Sequence, residues 1–215
     1  MRVYNIMSKT SDVICSTDMY TRRVIFISEG HAYQLQTVDD GSVECRQVIS
    51  LLSNQEETDT RIILYCRYAQ EHGYEHVRVR SPDSDLFFIL LLYAHEMTIT
   101  VLFDTGTGNR KCLINLTVMA EDFTPEYSPA LAAVHVFTEC DTTSAFKGVG
   151  KVKPIKFLQK NLRFRAMLAQ LGENWEVSPV LERGLEEFTC SLYGRNRFTS
   201  VVQKMRASNL TKMLT

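Results

Sequence analysis

The chain has 215 residues, of which 45% are hydrophobic and 23% charged, and its formal net charge is −1. This composition predicts an ordinary globular protein and excludes nucleic-acid binding through bulk charge alone. The six cysteines form no C-x-x-C pair, which argues against a zinc ribbon or a disulfide framework. Without a signal-peptide pattern or a bilayer-spanning apolar run, we expect an intracellular protein, nuclear or otherwise, that is not secreted and has no membrane partner.

The N-terminal region, residues 1–44, is predicted to be a partial hairpin region. Residues 22–38 alternate between apolar and polar side chains and are divided at Glu29 and Gly30, which is typical of a β-hairpin. Residues 43–52 predict a further strand.

The predicted core covers residues 45–165. Ser53 and Glu56 form an S-x-x-E capping box, which predicts the start of a helix. The helical spacing of apolar residues continues to about His72, and Gly73 ends the helix.

The remaining core segments alternate between strand and helix patterns. They are a strand at 76–81, a helix at 84–97, strands at 99–104 and 111–118, and a helix at 128–139. This alternation predicts an α/β layered fold with a mostly parallel sheet. Residues 166–215 predict a helical tail, in which Ser178 is an N-cap and Pro179 lies in the first turn of a helix that ends near Gly194.

Acidic residues occur at three predicted strand or helix junctions. These groups are Glu56, Glu57 and Asp59; Asp83 and Asp85; and Asp141. Ligands of α/β sheets bind at such junctions on one edge of the sheet. Two carboxylates about 4 Å apart repel by roughly 4 kcal/mol at an effective dielectric near 20, so a convergent group needs a cation. Oxygen ligands without His or Cys favour Mg²⁺ or Mn²⁺, and paired ions of this kind hydrolyse phosphodiesters.

Each acidic group also fits a simple alternative, since Asp and Glu stabilise helix N-termini as caps. In the first group, the sequence does not decide whether Glu56 or Glu57 is the metal ligand. Glu57 converges with Asp59 only if Glu57 lies at the helix entry, whereas Glu56 and Asp59 share a helical face.

The order E-E-T-D-T, S-P-D-S-D and C-D-T-T-S-A-F-K-G-V-G-K resembles the flap-endonuclease-type (FEN/XPG, PIN-like) nuclease domain. The detailed sequence of these motifs is also similar to uncharacterised nuclease-like chains associated with mobile elements in animals. The resemblance implies a PIN-like three-layer fold, a helix-two-turn-helix-like basic hairpin, and structure-specific, Mg²⁺- or Mn²⁺-dependent hydrolysis of DNA. The residues it assigns as metal ligands and catalytic groups are Glu57, Asp59, Asp83, Asp85 and Asp141.

The N-terminal region departs from this family. The family has an earlier strand that ends in an aspartate and another N-terminal acid, and residues 1–44 contain no match, because Asp12 and Asp18 follow no clear buried strand pattern. We therefore expect a truncated copy that lacks the opening strand. The alternative to an active nuclease is a non-catalytic nucleic-acid-binding module that retains the fold.

Residues 146–165 carry basic side chains and no acid. The basic residues are Lys147, Lys151, Lys153, Lys156, Lys160, Arg163 and Arg165. Gly148 and Gly150 allow a tight turn whose N–H groups can meet a phosphate. The resemblance implies that duplex DNA backbone is held by Lys147, Gly148, Gly150, Lys151, Lys153 and Lys156. The alternative is a solvated helical face.

A second motif, Asp104-Thr105-Gly106, matches the aspartic-protease D-T-G. That enzyme needs two such aspartates that share one proton. Because the motif precedes Thr-Gly-Asn-Arg-Lys and another strand, a glycine-rich hairpin turn is the preferred interpretation, and a protease is a remote alternative.

Overall fold

The structure is a computed structural model that describes residues 3–7, 15–18, 23–28, 31–37, 41–54, 58–139 and 145–194. The chain divides into two compact units, residues 1–124 and 125–215. The boundary between them falls inside the predicted core of residues 45–165. The first unit combines a mixed sheet with helices, so the predicted α/β class is confirmed.

An eight-stranded sheet of order β5-β4-β3-β2-β1-β6-β7-β8 forms the first unit. The strands are β1 (Val3–Met7), β2 (Cys15–Asp18), β3 (Arg23–Ser28), β4 (His31–Thr37), β5 (Val43–Gln47), β6 (His76–Arg80), β7 (Thr100–Thr105) and β8 (Cys112–Asn115). The predicted hairpin is confirmed as β3 and β4, which pair antiparallel.

The prediction of a mostly parallel sheet is wrong. Among the described strands, β1/β6 and β6/β7 pair parallel, and every other pair is antiparallel. The physical reason is that β1 to β5 follow one another as a meander. Short connections join antiparallel neighbours, whereas a parallel pair needs a crossover.

Residues 3–7 form a central strand that was not predicted, but it ends at Met7 and not in the aspartate that the resemblance requires. β1 lies between β2 and β6 and pairs parallel with β6, with Ile6 opposite Val79. Ile6 is completely buried. The strand was not predicted because it is only five residues long and Asn5 interrupts its apolar side chains.

Three helices accompany the described strands of the first unit. They are α1 (Thr58–Glu71), α2 (Ser84–Tyr93) and α3 (Leu116–Glu121). α1 ends as predicted, and Gly73 follows it with a φ of 73°. Glu56 of the predicted capping box lies outside the described residues. The strand predicted at 111–118 ends at Asn115, because the Asn115 side chain accepts a hydrogen bond from the Val118 N–H and starts α3 instead.

The two faces of β6 and β7 differ in character. One face carries the buried side chains Val77, Val79, Val101 and Phe103, and the ring of Phe87 from α2 meets that of Phe103 at 5.5 Å between centroids. Because successive side chains of a strand alternate between faces, the charged residues of β6 point to the face opposite α2.

The described part of the second unit is helical. Its helices are α4 (Tyr127–Thr138), α5 (Val152–Lys160), α6 (Leu162–Leu168) and α7 (Pro179–Leu192). The predicted helix at 128–139 is confirmed as α4. The predicted cap of α7 is also confirmed, since the Ser178 hydroxyl accepts a hydrogen bond from the Leu181 N–H at 3.2 Å.

Candidate functional site

Two of the predicted acidic residues of the first unit, Asp83 and Asp85, lie just after the carboxyl end of the central strand β6. Asp83 follows the carboxyl end of β6 and begins α2, with Asp85 in the first turn. Asp59 lies in the first turn of α1, which leads back to the amino end of β6. A helix of this length rises about 20 Å and β6 about 17 Å. α1 is therefore long enough to run the whole length of β6.

Asp83 also acts as a helix cap. Its Oδ1 accepts a hydrogen bond from the Asp85 N–H at 2.9 Å, and its own N–H donates to the Ser81 hydroxyl at 3.1 Å. Its carboxylate is exposed. Capping and metal binding are compatible here, because the cap uses one carboxylate oxygen.

The five-ligand metal site stays a prediction. Glu57 and Asp141 lie outside the described residues, as does Glu56. Within the described ranges, no three His, Cys, Asp or Glu side chains stand close enough to hold a metal ion. Asp59, Asp83 and Asp85 carry oxygen donors of the type that suits Mg²⁺ or Mn²⁺.

Asp104 forms a charged cluster that sequence reasoning missed. Its side chain is 5% exposed, and its Oδ2 accepts hydrogen bonds from Arg78 at 2.6 Å and from Arg80 at 2.9 Å. Arg80 also donates to the Gly106 carbonyl oxygen. The available sequence signal was the alternation that puts Arg78 and Arg80 on one face of their strand, whereas the pairing of Arg80 opposite Asp104 is visible only in the structure.

This cluster keeps Asp104 ionised. Burial by itself raises the pKa of this carboxyl, but the hydrogen bonds and positive charges of Arg78 and Arg80 outweigh burial and hold the pKa below its ordinary value. An aspartic protease needs a shared proton instead. The turn geometry agrees with the hairpin interpretation, since Gly106 has a φ of 75° and a Cβ there would lie 2.1 Å from the Arg110 carbonyl oxygen.

Six of the seven basic residues of segment 146–165 fall into two groups. Three of them are used inside the fold. Lys151 donates to the carbonyl oxygen of Glu139 and to His135 Nδ1 at the end of α4, Arg163 pairs with Glu187, and Arg165 lies 4.3 Å from the centroid of the Tyr127 ring. Lys151 therefore caps the end of α4, and its predicted phosphate contact stays a prediction.

The second group is a row of exposed lysines, called the lysine stripe below. Its members are Lys153, Lys156 and Lys160 of α5. At about 100° per residue, the three side chains fall within a 60° arc, and the row extends over roughly 10 Å. Lys147 is exposed in the preceding turn, where Gly148 has a φ of 74° and the Val149 N–H donates to the Phe146 carbonyl.

A cavity of about 810 Å³ lies between α1, α2, β4 and residues 52–54. Its walls include Leu52, Ile63, Ile89 and Tyr93. Among the described residues, none of the predicted metal ligands lines it. Cys66 of α1 is buried, and burial raises the pKa of its thiol to about 12, which makes it a core group rather than a nucleophile.

Comparisons with protein-family models, curated proteins and solved structures return no match to this chain. In the part of the chain that the structure describes, no helix is long and apolar enough to cross a membrane.

Proposed function

We propose that this chain is a divalent-metal-dependent DNA phosphodiesterase with a PIN-like core, of the flap-endonuclease type. The observation that carries the proposal is the position of Asp83 and Asp85, directly after the central parallel strand β6. The carboxyl ends of parallel strands are where α/β sheets bind ligands. The central strand β1 pairs parallel with β6, but it ends at Met7 and does not supply the aspartate that ends the family's opening strand.

Asp83 and Asp85 would hold the cation, and Glu57 and Asp59 are the further ligands that we propose within the first unit. A bound Mg²⁺ or Mn²⁺ supplies an activated water and neutralises charge on the phosphate. Asp83 suits this role because the Asp85 N–H fixes one of its oxygens, which orients the carboxylate. The capping bond therefore positions the ligand.

The lysine stripe would hold the DNA backbone. Lys153, Lys156 and Lys160 present three positive charges on one exposed face of a single helix. Lysine contacts to phosphates position a duplex without reading its sequence. This arrangement favours a substrate recognised by backbone shape and charge.

The first test is Mn²⁺ binding by Asp83→Asn. Asparagine remains a good N-cap, so α2 keeps its cap while the site loses one anionic ligand. We expect calorimetry to show Mn²⁺ affinity reduced about tenfold or more, since ligand charge sets affinity at such sites. The rate at which Asp83→Asn hydrolyses a labelled flap duplex in Mn²⁺ should decrease as its Mn²⁺ affinity does.

Glu75→Gln is the matched control, because Glu75 is exposed at the amino end of the same strand. It should leave Mn²⁺ affinity unchanged. Equal affinity in the wild type and in Asp83→Asn, or no binding in either, would remove the metal site from the proposal.

The second test neutralises the lysine stripe with Lys153→Gln, Lys156→Gln and Lys160→Gln combined. Each lost phosphate contact should lower the slope of log K against log salt by about 0.9, or about 2.7 for all three. Fluorescence anisotropy with duplex DNA in EDTA measures this slope without cleavage.

Arg163→Gln serves as the control, since Arg163 already pairs with Glu187. It should change the slope much less. An unaltered slope in the triple variant would mean that the lysine stripe contacts no phosphates and is only a solvated surface. DNA binding through the stripe without any Mn²⁺ binding would instead support the non-catalytic nucleic-acid-binding module.

A further inference from the structure

The strand β5 (Val43–Gln47) ends the sheet and has an open edge. It pairs with β4, and within the described residues no strand pairs with its other side. All five of its side chains are exposed, so the described helices cover neither of its faces. An uncovered edge strand is a template for pairing with another chain, and proteins commonly protect such edges with proline, charged side chains, bulges or a covering element. VECRQ contains no proline.

The hydrogen-bond pattern fixes which backbone groups face this open edge. The Val48 N–H donates to the Ala32 carbonyl oxygen at 2.8 Å, so Val48 and Ala32 form a hydrogen-bonded pair. The next pair along the ladder is Gln47 opposite Tyr33. Hydrogen-bonded and non-hydrogen-bonded pairs alternate along an antiparallel ladder. Glu44 and Arg46 therefore bond to β4. The residues whose N–H and C=O groups point to the open edge are Val43, Cys45 and Gln47.

We propose that β5 is a self-association edge that pairs antiparallel with β5 of a second copy of this chain, about a twofold axis at Cys45. In this register Cys45 lies opposite the partner's Cys45, and Val43 lies opposite the partner's Gln47. The outward-pointing groups then meet one another and form a hydrogen-bonded ladder. The result is one sheet continuous across two subunits, a recognised mode of strand addition.

The charges of β5 select this register. Glu44 and Arg46 lie on one strand face and pair with each other in the single chain. In the proposed dimer Glu44 lies opposite the partner's Arg46, so the four charges alternate in sign. A shift of two residues in either direction would place Arg46 opposite the partner's Arg46, or Glu44 opposite the partner's Glu44. Like charges directly opposite are destabilising, so these registers are disfavoured.

Sedimentation equilibrium of the full chain tests the proposal, over about 5–500 μM because so short an interface is expected to be weak. The wild type should show a concentration-dependent monomer–dimer equilibrium. Arg46→Glu places glutamates opposite glutamates, and Glu44→Arg places arginines opposite arginines. Each variant alone should raise the dimer dissociation constant about tenfold or more. An equimolar mixture of the two should regain dimerisation, because their edges are complementary.

The double variant Glu44→Arg/Arg46→Glu is the control, since it preserves opposite charges across the axis and should dimerise like the wild type. A short bismaleimide should also link Cys45 to the partner's Cys45 in the wild type, as mapped by mass spectrometry. A monomer at every concentration would overturn the proposal. So would a dimer that Arg46→Glu leaves unchanged and that gives no Cys45 crosslink.

Discussion

Replacing Phe188 by alanine should lower the free energy of unfolding by about 3–5 kcal/mol, the range measured for buried aromatic truncations. Phe188 of α7 is completely buried. Its ring centroid lies 6.2 Å from Phe137 of α4, 5.8 Å from Phe157 of α5 and 5.7 Å from Phe164 of α6. One side chain therefore joins all four described helices of the second unit, and its removal leaves a cavity that no single helix can close.

Urea unfolding followed by far-ultraviolet circular dichroism measures this change. Trp175→Ala is a suitable control, because Trp175 is fully exposed and surface substitutions usually change stability by less than about 0.5 kcal/mol. Phe188→Leu keeps most of the volume and should cost less than Phe188→Ala. A loss below about 1 kcal/mol for Phe188→Ala would mean that the aromatic cluster is not the core of this unit.

Local signals in the sequence were sufficient for several elements. The turn residues and alternation of residues 22–38 predicted β3 and β4, and Ser178 with Pro179 predicted the start of α7. Gly73 marked the end of α1. Each of these features depends on side chains within a few residues of one another, which is the range over which capping and turn chemistry act.

Strand order depended on contacts that no local pattern records. β1 pairs with β6, more than 65 residues later in the chain, and the meander attaches to the same sheet. Alternation predicts that a segment is a strand but carries no information on its neighbour or its direction. The parallel proportion was therefore overestimated, and the short central strand was missed.

The candidate site shows the same division. The position of Asp83 after a strand was predicted, whereas its bond to the Asp85 N–H is visible only in the structure. The basic segment was recognised from its composition. Lys151 and Arg163 contact other residues of the fold. Helix packing brings those partners near, and the sequence does not show this. The sequence shows which residues are charged, but it does not show which residues these charges contact.

Asp104→Asn should lower the free energy of unfolding at pH 7 by about 1–3 kcal/mol, because the buried carboxylate bonds two guanidinium groups. The side chains of Arg78 and Arg80 are 46% and 37% exposed, so water can solvate them in the variant. The loss should therefore be smaller than for a fully buried pair. Asparagine keeps the shape and one acceptor oxygen, which isolates the contribution of the charge.

The lowered pKa of Asp104 determines how the stability difference between wild type and Asp104→Asn changes with pH. Folding lowers the pKa of Asp104, so its stabilisation is complete above the unfolded value of about 3.9 and is lost as the pH falls through the folded value. Urea unfolding should show a constant difference between wild type and Asp104→Asn from about pH 8 to pH 5, which shrinks below about pH 4. Asp122→Asn, at an exposed carboxylate, should show no comparable difference. A difference that widened on acidification would mean that folding raises the pKa of Asp104. Such a raised pKa is the condition a proton-sharing aspartate pair requires, and it would restore the protease interpretation of Asp104-Thr105-Gly106.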